Sequence, residues 1–287
     1  MSIKEILESK EKEILVSIVT PSYNQAEFIE ETILSVQNQT YPFVEHIIVD
    51  GASTDGTVEI LKKYGGKYRD RIIWISKPDN GETEAMNKGI KMARGEIIAF
   101  VSSDNTLEPD AVEKVVSFFK EHPEVDMVSG GSKSIDRNGK VLEAHSPPKE
   151  FSFKRLILKG SCGISEAATF IKKNVIEEVG GFDEKIKYAN DVDLWIRIGM
   201  RFNAKTTPHI LANVRQNPKA TTLRKSKELR AEFRMLSKKY LEPSLWNLIL
   251  IEYLDIKRFL FHKLRRINIY PILQKFRQKI KILRLGS

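Results

Sequence analysis

The sequence of 287 residues has very little cysteine, and this restricts the sites that it can build. Its single cysteine, Cys162, excludes an internal disulfide and a zinc site made of several thiolates. The five histidines show no metal-binding spacing; they are His46, His122, His145, His209 and His262. A single free cysteine fits a reducing cytoplasm, and the composition gives no sign of a disulfide-stabilised secreted domain.

Long hydrophobic runs are also missing. No stretch reaches the roughly 18 to 20 uninterrupted apolar residues that a membrane-spanning helix requires. Residues 1–14 are charged and lack the continuous apolar segment of an export signal, so we expect a cytoplasmic protein. Solenoid repeats and low-complexity tracts are absent. Because 41% of the residues are hydrophobic, the chain can bury a full core as one large domain, with or without an appendage.

The net charge of +9 is unevenly distributed along the chain. Residues 201–287 contain 21 Lys and Arg against 5 Asp and Glu, whereas residues 1–200 have a net charge of −7. The basic residues of the last third are interleaved with large apolar ones, which disfavours a nucleic-acid-binding surface with exposed stacking aromatics. We therefore expect the two parts of the chain to face different partners.

Short apolar runs rich in β-branched residues alternate with helical patterns over the first two hundred residues. Such runs are typical of strands buried on both faces. The predicted strands are 14–20, 45–50, 71–76, 96–101 and 125–129. The predicted helices, which have apolar residues at near-helical spacing, are 26–36, 57–64 and 81–93. This alternation predicts an α/β fold in which helices cover both faces of a mostly parallel sheet.

Polar residues follow the ends of these predicted strands. Pro21 fixes the turn after the first strand, and Tyr23 in the same turn offers a flat face for a nucleobase. Asp50 ends the second strand, Asp79 lies just before the helix that follows the third, and Asp104 follows the fourth. Because ligands of open α/β sheets bind at the carboxyl ends of the strands, we expect these residues to face one crevice.

For some acidic residues near the strand ends, a structural role is an alternative to ligand binding. Asp104 could be a turn carboxylate that caps the helix starting near Pro109, and Asp55 is expected to be the N-cap of the helix that follows it. The segment 79–82 precedes a helix whose N-terminal backbone donors suit an anion. Each of these local patterns is weak evidence alone. The order of the patterns along the chain is therefore needed to distinguish a ligand-binding role from a structural one.

Five segments in order make the chain resemble the family 2 glycosyltransferases, inverting enzymes of the GT-A fold that build bacterial surface polysaccharides. They are VSIVTPSYNQAEFIEETILSVQNQTYP, IIVDGASTDGT, DNGETEAMNKGI, ARGEIIAFVSSDN and VGGFDEKIKYANDVDLWIRIG. The resemblance runs from Val16 to about Val214 and implies a GT-A (Rossmann-like) nucleotide-sugar-binding and catalytic domain over residues 1–215. It also implies a hexosyl- or N-acetylhexosaminyl-transferase that uses a nucleoside-diphosphate-sugar donor, with a UDP-sugar favoured.

The resemblance implies roles for several donor-binding residues. Pro21 and Tyr23 match the turn that packs against the donor base, and Asp50 matches an acidic position beside the base or ribose. Asp79 is expected to belong to the same nucleotide-binding set. Gly51 stands where many members have a second Asp, so the contact that reads uracil, guanine or thymine is left open.

The segment Ser102, Ser103 and Asp104 resembles the family's metal motif of two aspartates separated by one residue, with Ser102 replacing the first. The resemblance implies that Ser103 and Asp104 bind the donor and that Asp104 holds Mn²⁺ or Mg²⁺. A divalent ion with one protein carboxylate must take its other oxygen ligands from the donor diphosphate and from water. We therefore expect a metal that binds weakly without donor and offsets charge on the departing diphosphate.

The family has two acidic residues ahead of a helix that contains tryptophan. Asn190 and Asp191 resemble this pair, with Asn190 in place of the first acid. The resemblance implies that Asp191 is the general base that removes the acceptor proton, the alternative being a helix N-cap. Asp193 and Trp195 are expected to hold the helix, and Asp183 to shape a turn. Glu166, in a segment matching one near the acceptor pocket, is expected to bind an acceptor hydroxyl of a glycan or lipid-linked glycan.

Residues 216–287 are expected to form a basic, amphipathic, helical C-terminal region. A charged helix is predicted over 222–240, and two basic amphipathic helices with aromatics within 244–285. Such helices suit an anionic membrane surface, which makes a peripheral location at the inner face of the membrane one interpretation. The alternative is a helical hairpin packed on the catalytic domain or at a dimer interface.

Two other functions remain as hypotheses at the level of the sequence. The departures at Gly51, Ser102 and Asn190 allow a catalytically silent nucleotide-sugar-binding protein. A nucleic-acid binder that uses the basic tail is disfavoured, because the aromatics of the tail follow apolar helical spacing. We therefore expect no nucleic-acid partner.

Overall fold

The computed structural model describes residues 13–159, 163–216 and 226–241. The strands of this part are β1 (Val16–Ser22), β2 (Val44–Asp50), β3 (Ile72–Ser76), β4 (Ile97–Phe100), β5 (Thr106–Leu107), β6 (Met127–Ile135), β7 (Val141–His145), β8 (Thr169–Lys172) and β9 (Ala204–Arg215). The helices are α1 (Ile29–Gln37), α2 (Thr57–Lys67), α3 (Glu82–Met92), α4 (Ala111–Glu121), α5 (Phe153–Lys159), α6 (Lys173–Glu178), α7 (Asn190–Arg201) and α8 (Ser226–Tyr240), with a short 3₁₀ helix at Glu166–Ala168.

The strands form one mixed, mostly parallel sheet in the order β3-β2-β1-β4-β8-β6-β9-β5, with β7 paired to β6. The β3-β2-β1-β4 half is entirely parallel. Beyond β4, strand β8 runs antiparallel to both β4 and β6, whereas β6 and β9 are parallel. The sheet therefore confirms the α/β prediction, and the carboxyl ends of β1 to β4 meet at one edge.

The strand order reverses beside β1, which lies between β2 and β4. Register places Ser22 of β1 opposite Asp50 of β2, and Asp50 opposite Ser76 of β3. The loops that follow these strands therefore lie side by side. This is the position at which an open α/β sheet leaves a crevice for a ligand.

The core is divided by the sheet. The largest cluster of buried apolar residues packs the helices α3, α5, α6, α7 and α8 against it and includes Val19, Met86 and Trp195. The opposite face carries a cluster built around α4 and another between α1 and α2. Burial of these apolar side chains is the main stabilising contribution, at about 25 cal/mol per Å² of apolar surface.

A glycine allows α3 to lie unusually close to β1. A Cβ atom at Gly89 would be 2.3 Å from Cγ1 of Val19, a distance that no side chain tolerates. This close approach packs α3 directly against β1, whose carboxyl end lies at the crevice. Gly89 therefore helps to place the start of α3 at the edge of the crevice.

Helix α8 belongs to the packed body, although the sequence placed the end of the catalytic domain at residue 215. Leu236 of α8 is 1% exposed and joins the largest core cluster. The Ser237 hydroxyl donates a hydrogen bond to the carbonyl of Ile157 in α5 at 2.6 Å. The described core thus extends to α8, and the rest of the predicted C-terminal region, including 244–285, lies outside the described residues.

Candidate active site

Four carboxylates converge at the crevice edge of the sheet, and we call them the acidic cluster: Glu82, Asp104, Glu166 and Asp191. Glu82 starts α3, Asp104 lies in the loop after β4, Glu166 starts the 3₁₀ helix, and Asp191 lies in the first turn of α7. The charges of Asp191 and Asp104 both act on Glu82, and those of Glu82 and Asp191 act on Glu166. The structure therefore brings Asp104 and Asp191, which are distant in sequence, to one site.

Desolvation raises the pKa values of three members of this cluster, Glu82, Glu166 and Asp191, and like charges add to the shift at Glu82 and Glu166. The Glu82 side chain reaches solvent, yet the surrounding protein withholds part of its hydration. This desolvation, with the charges of Asp191 and Asp104, raises the pKa of Glu82 to about 7. Desolvation raises the pKa of Asp191 to about 6, although the Val192 N–H donates to its Oδ1 at 2.7 Å. Carboxylates tuned toward neutral pH can exchange protons with a ligand.

Glu166 brings an unsatisfied side-chain oxygen to the acidic cluster. Its Oε1 atom is buried and accepts no hydrogen bond from the described residues. Desolvation and the charges of Glu82 and Asp191 raise the pKa of Glu166 well above its ordinary value. A buried oxygen without a partner costs free energy, and a hydroxyl of a bound ligand would relieve that cost.

Asp191 is placed by contacts between α3 and α7. The Asn190 amide donates a hydrogen bond to Oγ1 of Thr83 at 3.0 Å, and the Thr83 hydroxyl donates to the carbonyl of Ile186 at 3.2 Å. Thr83 follows Glu82, and Asn190 precedes Asp191. This side-chain link therefore holds the two carboxylates Glu82 and Asp191 next to each other.

A carboxylate from α8 fixes the segment that leads into α7. Glu232 accepts hydrogen bonds from the backbone N–H groups of Lys187, Tyr188 and Ala189 at 2.9, 2.7 and 2.8 Å. Amides at the start of a helix lack partners within that helix, and a carboxylate there also complements the helix dipole. Glu232 is thus a positioning residue for Asp191.

The loop that carries Asp104 is held by a buried arginine at the end of β9. Arg215 is 4% exposed, and its Nε donates to the Asp104 carbonyl at 3.0 Å. Its guanidinium also contacts the carbonyls of Asp136 and Arg137 and pairs with Glu31. A planar guanidinium with five donors can join several segments at once, so Arg215 fixes the loop after β4.

Tyr23 opens toward solvent at the other side of the crevice, with its side chain 63% exposed. The loops after β1 and β2 are joined beside it. The Asn24 N–H donates to Oγ of Ser53 at 2.7 Å, and the Thr54 N–H donates to Oδ1 of Asn24 at 2.9 Å. Asn24 and Ala52 both have left-handed backbone, with φ of 52° and 61°, which is unfavourable for residues with a Cβ. Pro21 lies in β1 and is buried beneath this surface.

Two of the predicted donor-binding side chains do not face the crevice. Asp50 is 0% exposed, and its carboxylate accepts hydrogen bonds from the Ser53 N–H at 2.9 Å and the Ser76 hydroxyl at 2.7 Å. The expectation that Asp50 faces the crevice is therefore wrong, because the loop after β2 folds back over it. Ser103 is 4% exposed, so its side chain is also buried. Asp79 remains accessible near Gly51.

Three further acidic residues have the structural roles expected of them, although the prediction that Asp55 is the N-cap of α2 is wrong. Asp55 accepts hydrogen bonds from the N–H groups of Ala26 and Thr57, which ties the loop after β1 to α2. Asp183 accepts from the Lys185 N–H at 3.0 Å within a turn. Asp193 is 0% exposed; it pairs with Arg197 and accepts the Tyr240 hydroxyl at 2.7 Å. The N-cap of α2 itself is Gly56, one residue beyond the expected Asp55.

Sequence reasoning missed Glu82, Arg215 and Glu232. Glu82 belongs to one of the five segments that carry the family resemblance. It starts a predicted helix just after a strand end, and this position could have indicated a role in the site. No local pattern marks Arg215 or Glu232, because their partners lie far away along the chain. In the part of the chain that the structure describes, no helix is long and apolar enough to cross a membrane.

The family comparison matches residues 17–180 of this chain to Glycosyl transferase family 2. The chain is similar to chondroitin synthase of Pasteurella multocida, with 32% identity over 185 residues that cover 64% of this chain and 19% of that protein. It spans less than two thirds of the length of the curated relatives that it matches.

Solved structures with a similar fold include the following two. One is S. aureus TarS 1–349 in complex with UDP-GlcNAc, with a TM-score of 0.64 and 19% identity, covering 90% of this chain and 76% of that one. The other is the mannosyltransferase PcManGT from Pyrobaculum calidifontis in complex with GDP-Man and Mn²⁺, with a TM-score of 0.63 and 21% identity, covering 88% and 74%. At these identities the likeness shows the fold alone.

Proposed function

Because the chain belongs to glycosyl transferase family 2, we propose that it transfers a sugar from a nucleoside-diphosphate-sugar to a hydroxyl of a glycan or lipid-linked glycan. The observation that carries the proposal is the meeting of Asp104 and Asp191 beside Glu82 at the carboxyl ends of parallel strands. The relative named chondroitin synthase supports a role in polysaccharide biosynthesis of the cell envelope. A UDP-sugar is the favoured donor, in line with the neighbour that binds UDP-GlcNAc.

The donor would lie along the crevice from Tyr23 to Asp104. The exposed Tyr23 ring stacks on the base, Pro21 supports the turn beneath it, and Asp79 lies beside them. Asp50 acts on the donor through the loop that its buried carboxylate holds in place, and the buried Ser103 acts through its backbone beside Asp104. This arrangement directs the diphosphate toward the loop of Asp104 and the sugar toward the acidic cluster.

The residues fit a divalent cation that is shared with the donor. Among the described residues, no group of three or more His, Cys, Asp or Glu side chains could hold an ion alone. Asp104 supplies a carboxylate oxygen of the kind that Mg²⁺ and Mn²⁺ prefer, so the remaining ligands would come from the diphosphate and water. When bound there, Mn²⁺ or Mg²⁺ supplies Lewis-acid stabilisation of the departing diphosphate. The PcManGT neighbour, in complex with Mn²⁺, supports this choice of ion.

Asp191 is the proposed general base. Its raised pKa of about 6 leaves it ionised at neutral pH, yet basic enough to take the proton of an attacking hydroxyl. Attack from the side of Asp191, opposite the diphosphate at Asp104, inverts the anomeric carbon. Glu166, with its unpartnered buried oxygen, accepts a hydrogen bond from an acceptor hydroxyl.

A catalytically silent nucleotide-sugar binder is the second candidate. Ser102 and Asn190 stand where the family usually has acids, and the Asn190 amide is engaged with Thr83. Such a protein would bind donor but neither transfer nor hydrolyse it. The acidic cluster favours the enzyme, because it retains a carboxylate at each of the two positions that the reaction needs.

A thermal-shift screen tests the proposal. Nucleoside diphosphates and their sugars are added with and without Mn²⁺, and a ligand of the native state should raise the melting temperature. Asp104→Ala and Asp191→Ala should remain folded and lose transfer as well as slow donor hydrolysis. If no nucleotide raises the melting temperature, the proposal is wrong; binding without transfer or hydrolysis over a panel of acceptors would establish the silent binder.

A further inference from the structure

Gly51 leaves a gap that another residue occupies. A Cβ atom at Gly51 would lie 3.2 Å from both carboxylate oxygens of Asp79 and 3.3 Å from Cδ2 of Tyr23. The carboxylate of Asp79 therefore lies in contact with the point at which a side chain at position 51 would begin, next to the exposed tyrosine ring. The two loops meet because β2 and β3 are neighbours, and the Lys77 N–H donates to the Asp50 carbonyl at 2.9 Å.

The carboxylate of Asp79 is held in place but keeps capacity for a ligand. Its Oδ1 accepts the Gly81 N–H at 2.9 Å, and Oδ2 accepts no hydrogen bond from the described residues. The nearby carboxylate of Asp50 is buried and already accepts hydrogen bonds from Ser53 and Ser76. Beside Tyr23, Asp79 is therefore the acidic group that a stacked ring can contact.

A carboxylate only accepts hydrogen bonds, so it discriminates between bases. Uracil, thymine and guanine carry a ring N–H on the edge that pairs with other bases. Adenine and cytosine have a ring nitrogen lone pair at the corresponding position, which a carboxylate repels. A carboxylate beside the stacking residue thus favours the first group.

We propose that Asp79 selects the base of the donor by accepting its ring N–H, replacing a carboxylate that position 51 lacks. This inference rests on the proposed function and names the class of donor: a uridine, thymidine or guanosine diphosphate sugar. It also implies that acids at 51 and 79 exclude each other. Two carboxylates there would repel each other at close range in a partly buried site.

Exchange of the two positions tests the inference. The dissociation constants of UDP, dTDP, GDP, CDP and ADP are measured by calorimetry for the wild type and for Asp79→Asn, Gly51→Asp and Gly51→Asp with Asp79→Ala. The backbone at Gly51 is outside the left-handed region, so Asp adds no backbone strain there, and Asp79→Ala removes the closest side-chain contact of the new Cβ. Asp70→Asn, in an exposed turn away from the crevice, is the matched control for loss of a carboxylate.

The wild type and Asp70→Asn should bind at least one of UDP, dTDP and GDP roughly tenfold or more tightly than CDP and ADP. Asp79→Asn should weaken the preferred nucleotide roughly 10- to 100-fold and reduce the discrimination. Gly51→Asp alone should also weaken it, whereas the double variant should recover binding to within about threefold and the wild-type ranking. Circular dichroism confirms that each variant is folded.

Three results would overturn the inference while leaving the proposed function in place. The wild type could prefer CDP or ADP, or Asp79→Asn could keep the wild-type affinities and ranking. The double variant could also bind no better than Asp79→Ala alone. A wild type that binds none of the five nucleotides would instead defeat the proposed function. The two failures are therefore distinguishable in the same set of measurements.

Discussion

At the scale of the residue, the roles of the acidic side chains follow from their surroundings. Asp193 and Asp50 are fully buried and satisfied by hydrogen bonds, and they hold structure. Asp191 and Glu82 belong to the acidic cluster and have raised pKa values. The sequence could identify Asp104 and Asp191 by the resemblance of their segments, but it could not tell that Asp50 is covered, because the covering loop is a tertiary feature.

Asp191→Asn should slow transfer strongly and stabilise the fold. We expect transfer to fall by about 10² to 10⁴ because the amide cannot accept the proton. The folded-state pKa of Asp191, raised from 3.8 to about 6, means that its ionisation opposes folding at neutral pH. Removing that charge should raise the free energy of unfolding by roughly 1 to 3 kcal/mol, measured by denaturant titration at pH 7.5.

Asp183→Asn is the control for Asp191→Asn, since an Asn can keep the turn hydrogen bond to the Lys185 N–H. It should leave both transfer and stability close to those of the wild type. An Asp191→Asn protein that is less stable than the wild type at pH 7.5 would contradict the assignment of a raised pKa. The stability gain should disappear below pH 3.8, where the wild-type carboxyl is protonated in both states.

The pH dependence of transfer should report the acidic cluster. Because the base must be ionised, kcat/KM should fall as the pH decreases, with an apparent pKa between about 6 and 7 that Asp191 and Glu82 share. Steady-state rates from pH 5 to 9 measure it, and donor affinity over the same range serves as the control. A flat profile down to pH 5 would exclude Asp191 as the base.

At the scale of the element, the site depends on contacts between parts that are distant along the chain. Helices α3 and α7 are tied through Thr83 and Asn190, and α8 holds the entry to α7 through Glu232. Strands β1 to β4 and helices α1 to α3 were predictable because they follow local apolar spacing, whereas the short helices α5 and α6 were not predicted. The strands β5, β7, β8 and β9 were not predicted, since short or half-exposed strands lack a continuous apolar run.

Glu232→Gln tests whether α8 positions the base. The amide can accept hydrogen bonds with one oxygen only, so some of the three N–H groups before α7 should lose their partner. We expect kcat to fall several-fold while the donor KM stays within about twofold, since the donor side of the crevice is not altered. Steady-state kinetics with varied donor measures both values.

Glu59→Gln, on the exposed face of α2, is the matched control for Glu232→Gln and should change neither kcat nor KM. Equal losses in kcat and in donor affinity would instead indicate that Glu232 supports the fold in general. Glu232→Asp keeps the charge but shortens the reach, and an intermediate kcat is expected for it.

At the scale of the whole molecule, charge separates the catalytic body from the tail. The described body extends through α8, whose Leu236 and Ser237 pack on the core. Residues 244–285 contain ten Lys and Arg, and they lie outside the described residues. The sequence prediction of an anionic membrane partner for this segment therefore stays a prediction.

Removal of residues 242–287 tests that prediction. The full chain should sediment with vesicles that contain anionic lipid and not with neutral vesicles, because each basic residue near the surface contributes about 1 kcal/mol. The truncated chain should lose this binding and keep its affinity for the donor nucleotide. The tail would not be the membrane-binding part if the truncated chain sedimented with vesicles as much as the full chain. Loss of nucleotide binding on truncation would show that the tail and the catalytic body do not have separate roles.

The sequence by itself determined the alternation of strands and helices, the family and the positions of Asp104 and Asp191, because these follow from local apolar spacing and from motifs of contiguous residues. Only the tertiary structure decided that Glu82 joins the acidic cluster, that Glu232 and Arg215 hold it, that Asp50 is covered and that Asp79 occupies the space left at Gly51. The physical reason is that burial, charge proximity and hydrogen-bond partners depend on distances in space, which segments far apart in the chain acquire only on folding.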